Sequence, residues 1–185
     1  MDAVANSAGL WFPQKTDAGK TYPSLTALNS VIWLGVIEGD MSHQLTFIYG
    51  EFEEAYGGHK DFTSEVGRFG KQLAPLSSAI HRSVATDEPP HPGVIFDSDL
   101  ASWRARAWRL GAAGNLTVHV VVVNLQAPSA RFNLTIDAPE LQHGSWTAVR
   151  QQQGPGVTLK AGVLSDEVGE NATSIYSITS MKGAK

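Results

Sequence analysis

The chain has 185 residues, 42% of them apolar and 17% charged, and no cysteine. That composition can fill a core, and it excludes disulfides, thiolate metal sites and a cysteine nucleophile. The formal charge of −4 and a pI near 5.8 argue against a general nucleic-acid binder, while a complete (β/α)8 barrel, at roughly 200–250 residues, does not fit the length.

The N-terminus lacks a basic start followed by a sustained apolar run, so no signal peptide is expected. The longest apolar-rich stretches, 31–37 and 118–123, fall far short of the roughly 20 residues of a membrane helix. A soluble chain without membrane contact is expected. Residues 1–100 carry 13 acidic and 6 basic side chains, a net of −7, and residues 101–185 carry 5 acidic and 8 basic, a net of +3. The hydrophobic period changes in the same region. Three units are therefore expected: a helix–strand–helix segment over 1–85, a proline-rich linker with a first short strand over 86–100, and a β-sandwich over 101–185.

The first helix is expected over 24–38. Leu25, Leu28, Ile32 and Val36 recur three or four apart, and Val31, Trp33, Leu34 and Ile37 widen that face into a largely buried helix. Pro23 and Ser24 suit its start and Gly39 its end. Residues 44–50 form a short run rich in β-formers, expected to be a strand buried on both faces. Phe62, Val66, Phe69, Leu73, Leu76 and Ile80 then recur at helical spacing. Asp61 is the expected N-cap, and Pro75 is expected to end or kink the helix near Ala74. Pro89, Pro90 and Pro92 favour extended backbone in the linker.

From Gly93 the pattern is one of strands. In 101–110, Trp103, Ala105 and Ala107 share one face and Arg104 and Arg106 the other. Trp108 and Leu110 break the parity, so a bulge or a register change is expected near Ala107. A hairpin turn is expected at 111–115, a central strand with valines on both faces at 116–125, and a cleanly alternating strand at 131–136 with Phe132, Leu134 and Ile136 inward. Weaker strands are expected at 146–150, 157–164 and 174–180. Short strands separated by Gly, Pro and Asn indicate an antiparallel sandwich, so the fold class is α+β.

The chemical motifs are few. Gly19-Lys20-Thr21 ends like a phosphate-binding loop, but Gln14 stands where that loop needs glycine. The six histidines (His43, His59, His81, His91, His119 and His143) form no close pair at metal-ligand spacing, so no metal or cofactor is expected. His119, among valines, is expected to be a packed or hydrogen-bonded structural residue. No serine sits in a Gly-x-Ser-x-Gly elbow. Glu51, Glu53 and Glu54 follow the expected strand at 44–50, where carboxylates can act as acid, base or sugar-hydroxyl acceptors; the simpler account is a solvated acidic loop. Arg104, Arg106 and Arg109 with Trp103 and Trp108 form either an anion-binding surface or arginines facing water over aromatics facing a core. Exposed tryptophans could also stack on sugar rings, which makes Trp103, Trp108, Trp146 and Tyr176 glycan-stacking candidates. Asn115, Asn133 and Asn171 each begin an Asn-x-Thr sequon, a pattern compatible with a secreted parent protein.

The order helix, strand, helix, proline linker, sandwich resembles the end of many glycoside hydrolases with a (β/α)8 barrel and a C-terminal β-sandwich. Residues 24–49 resemble the last barrel segment, with Leu45-Thr46-Phe47-Ile48-Tyr49 as the strand. Residues 64–80, with Leu73-Ala74-Pro75-Leu76, resemble the closing helix. Residues 103–136, with Val120-Val121-Val122-Val123-Asn124, resemble the accessory β-domain, and Ser174-Ile175-Tyr176-Ser177-Ile178 its closing strand. The resemblance implies the C-terminal part of a carbohydrate-active enzyme acting on a polysaccharide or oligosaccharide. Its catalytic carboxylates would belong to upstream barrel sequence or a partner chain, and Tyr49, Glu51 and Glu53 would line the substrate rim. Tyr49-Gly50-Glu51-Phe52 also resembles a nucleophile-bearing segment of cellulase-like barrels, which would make Glu51 the nucleophile. That assignment leaves no room for an eighth strand before the sandwich. The alternatives are a carbohydrate-binding sandwich using exposed aromatics and a purely structural accessory domain.

Overall fold

The computed structural model describes residues 25–39, 59–82, 91–97, 102–111, 115–125, 128–143, 145–151, 157–170 and 172–180. The expected strand at 44–50 lies outside them, as do Tyr49, Glu51, Glu53 and Asn171. The elements are α1 (Leu25–Gly39), α2 (His59–Arg82), β1 (Gly93–Phe96), β2 (Trp103–Leu110), β3 (Thr117–Asn124), β4 (Ala130–Asp137), a 3-10 turn (Pro139–Gln142), β5 (Trp146–Arg150), β6 (Thr158–Lys160), β7 (Val163–Val168) and β8 (Thr173–Ser180). The strands form two antiparallel four-stranded sheets, β1-β4-β7-β6 and β2-β3-β8-β5. They face each other across one core, so the chain is α+β with a β-sandwich.

Alternation accounts for that core. Phe132, Leu134 and Ile136 of β4 and Leu164 and Val168 of β7 point inward from one sheet. Trp103, Ala107, Val118, Val120, Val122, Tyr176 and Ile178 point inward from the other. Trp103 and Phe132 lie 5.7 Å apart between ring centroids, and Phe96 and Tyr176 meet Phe132 edge-on at 6.0 and 6.3 Å. These are favourable aromatic geometries.

The β2-β3-β8-β5 sheet is apolar on its other face as well. There Trp108, Val121, Val123 and Ile175 pack against Trp33, Val36 and Ile37 of α1 and Phe69, Leu73, Leu76, Ala79 and Ile80 of α2. The result is three layers: helices, sheet, sheet.

This second face explains a correction. Neither the bulge nor the register change expected near Ala107 occurs, since β2 pairs with β3 in unbroken register from Trp103↔Asn124 to Leu110↔Thr117. Trp108 and Leu110 do not break the parity; they belong to a face that is also buried. Three further expectations change for local reasons. The second helix begins at His59, before Asp61, and passes through Pro75 to Arg82. Leu73, Leu76 and Ile80 on either side of the proline are all buried, so packing against the sheet outweighs the backbone hydrogen bond that proline removes. Residues 157–164 are not one strand. Ala161 and Gly162 take φ of 48° and 76°, turning the chain between β6 and β7. On α1 the buried face runs through Asn29, Ser30, Trp33, Val36 and Ile37, with Ile32 only partly covered.

Candidate functional site: the helix-docking face

The docking face is built on β2 and β3. β3 is an interior strand, so its valines are enclosed on both sides and Val118 to Val123 alternate between the two cores. Of the β2 arginines expected to face water, Arg104 is exposed as expected, and both it and Arg106 also reach α1. Arg106 Nη1 donates to the Ile37 carbonyl at 2.7 Å, and its guanidinium lies 5.5 Å over the Trp108 ring. Arg104 Nε sits 3.4 Å from Glu38 Oε1. A cation on the last carbonyls of a helix satisfies groups the helix itself leaves open and opposes the negative end of its dipole. Ser30 Oγ lies 3.4 Å from Thr173 Oγ1, tying α1 to β8.

The same layer encloses polar atoms with no hydrogen-bond partner: Trp33 Nε1, Gln72 Oε1 and Trp108 Nε1. Beside Trp108 across the strand pair is His119, which in turn faces Ser177 on β8. His119 Nδ1 is 3.1 Å from Ser177 Oγ, and burial pushes the imidazole below its ordinary pKa. The pair fits the structural role expected for this histidine.

On the sandwich side, a polar group crosses between the sheets. Asp166 of β7 accepts the Tyr176 hydroxyl of β8 at 2.9 Å on Oδ2. Arg150 Nη1 of β5 lies 3.0 Å from the same oxygen, and Asp166 Oδ1 accepts the Glu167 amide at 2.7 Å. Arg150 Nη1 also donates to the Glu167 carbonyl at 3.1 Å. The Asp166 side chain is 2% exposed and that of Arg150 11%. Burial is the main cause pushing the Tyr176 hydroxyl far above its ordinary pKa, so it remains a neutral donor. Both carboxylate oxygens are occupied, so the group joins the sheets and offers nothing to a substrate. Sequence reasoning missed it. The signal was present, because Leu164, Asp166 and Val168 share one parity, and an acid on an inward face needs a buried partner.

The remaining site candidates fall as follows. Trp103 and Trp108 are buried at 3% and 0% exposure, and Tyr176 is fully buried. None presents a ring face, so the stacking role is withdrawn for all three. They are the aromatics facing a core of the alternative account. Trp146 is partly buried against the sandwich core, with Nε1 donating to the Glu140 and His143 carbonyls at 2.9 and 2.8 Å. Arg109, on the sandwich side of β2, pairs with Glu140 at 2.8 Å. Asn115 is exposed in the β2–β3 turn. Asn133 is exposed on β4, its amide donating to Asp97 Oδ2 at 2.6 Å and its Oδ1 accepting from Ser165 Oγ at 2.6 Å.

Among the described residues no group of three or more His, Asp or Glu side chains could hold a metal ion, and no helix is long and apolar enough to cross a membrane. In comparisons with known proteins, the chain matches no family model, no curated protein and no solved structure.

Proposed function

We propose that this chain is the closing part of a carbohydrate-active enzyme of the glycoside hydrolase type, in which the sandwich braces an α/β unit and holds no complete active site itself. The observation that supports this reading is the docking face. A sandwich whose role was binding through one sheet would leave that sheet open. Here Trp108, Val121, Val123 and Ile175 are spent on helices that precede the sandwich in the chain. The described order, two helices followed by a sandwich, is compatible with the order in the resembled family, and the aromatic side chains that would favour a glycan-binding module are mostly in the core.

The test is a glycosidase assay of the full chain against a panel of aryl glycosides and oligosaccharides. No turnover is expected. Turnover that disappears in Glu51→Gln would refute the bracing role and make Glu51 a nucleophile.

A further inference from the structure

We propose that Arg104 and Arg106 form a latch on the C-terminal turn of α1, and that the helical layer undocks through it as a unit while both sheets stay folded. The inference rests on the docking geometry and is independent of any carbohydrate chemistry.

Three observations carry it. First, the two cores are separate sets of side chains. Among the described residues the one between the sheets contains no residue of α1 or α2, so it survives when the helices leave. Second, the helical layer encloses Trp33 Nε1, Gln72 Oε1 and Trp108 Nε1 without hydrogen-bond partners. Each regains water when the layer opens, which lowers the cost of opening. On the sandwich side Arg109 Nε is likewise unpartnered, but the inter-sheet bridge of Arg150, Asp166 and Tyr176 is paired internally. Third, the latch contacts converge on one turn. Arg106 holds the Ile37 carbonyl, Arg104 faces Glu38, and the Arg106 guanidinium also covers the ring of Trp108. These contacts of β2 on a helix end are charged ones that water can replace. Sub-global units of this kind open with less free energy than the whole fold. Opening uncovers the apolar strip Trp108, Val121, Val123 and Ile175.

Amide hydrogen exchange on the full chain tests the latch. In the native protein, α1 amides should exchange faster than those of β3 and β8. Arg106→Ala should speed α1 exchange by about tenfold or more, the change expected on losing a charged hydrogen bond, with the strands unchanged. Arg106→Lys, which keeps the charge and loses the planar fork, should fall between. Because the chain has no cysteine, Ser30→Cys with Thr173→Cys supplies a second test by crosslinking α1 to β8. Once oxidised, this pair should slow α1 exchange and leave the strands as they were. Equal exchange of α1 and β3 in native and variant chains would overturn the proposal, because the layers would then open as one. An α1 rate indifferent to both Arg106→Ala and the crosslink would overturn it too.

Discussion

Removing Asp166 should be among the most damaging single changes in the sandwich, and the structure says why. Asp166→Ala leaves the Arg150 guanidinium, 11% exposed, without its carboxylate, and takes the charged acceptor from the fully buried Tyr176 hydroxyl, leaving it only Ser174. Breaking a buried ion pair from one side costs about 3–5 kcal/mol. Tyr176→Phe removes only one donor and leaves the Arg150–Asp166 pair intact, so about 1.5–3 kcal/mol is expected, the range for a hydrogen bond to a charged group. Urea denaturation at neutral pH, followed by tryptophan fluorescence, measures both. The double variant should cost clearly less than the two single losses added, because both act through one carboxylate. Tyr176 also makes a pH prediction. Its hydroxyl is held protonated in the folded chain, whereas the unfolded chain releases that proton near pH 10. Its contribution is therefore complete below pH 10 and falls above it by about 1.4 kcal/mol per pH unit. Tyr176→Phe should flatten that alkaline fall. An Asp166→Ala loss below about 1 kcal/mol, or additive single losses, would refute the claim that this group holds the sheets together.

Two further outcomes follow from single residues. Burial lowers the His119 pKa, so the unfolded chain takes up a proton first on acidification; the urea midpoint should fall as pH drops below about 6.5, and His119→Gln should remove that part of the slope. Gly162→Ala should destabilise by about 1–2 kcal/mol, read as a lower melting temperature, because φ is +76° there and an added Cβ would meet Gln142 Nε2 at 2.6 Å.

Period alone carried much of this fold. The alternation of β4 placed Phe132, Leu134 and Ile136 inward, and the helical spacing from Phe69 to Ile80 located α2 and its buried face. What period could not show was which faces acquire a second neighbour. The apparent parity break at Trp108 is local sequence for a strand buried on both sides, and that burial depends on helices more than 25 residues earlier in the chain. Pro75 is a similar case. Its local rule ends a helix, and only the contacts of Leu73, Leu76 and Ile80 with the sheet keep the helix going. The 157–164 turn was missed because Ala161 carries no left-handed signal of its own, although Gly162 beside it does.

One physical reason kept two accounts of the β2 pattern open in the sequence, and that reason bears on function. Arginines and tryptophans alternating along a strand fit a wet binding surface and a buried layer contact equally well, since both need long side chains with an apolar stem and a polar tip. The deciding fact is what stands opposite. Arg106 meets the Ile37 carbonyl at the open end of a helix, and Arg104 meets Glu38. A soluble ligand could satisfy either guanidinium, but it could not also cover Trp108, Val121, Val123 and Ile175; a helix pair does both at once. The alternation is therefore a code for receiving a helix end, with the tryptophan supplying area and the arginine direction. This ties any function of the preceding segment to the sandwich through a face shared by both helices, and makes β2, which holds both Trp108 and the arginines on the last turn of α1, a strand where a substitution would reach far.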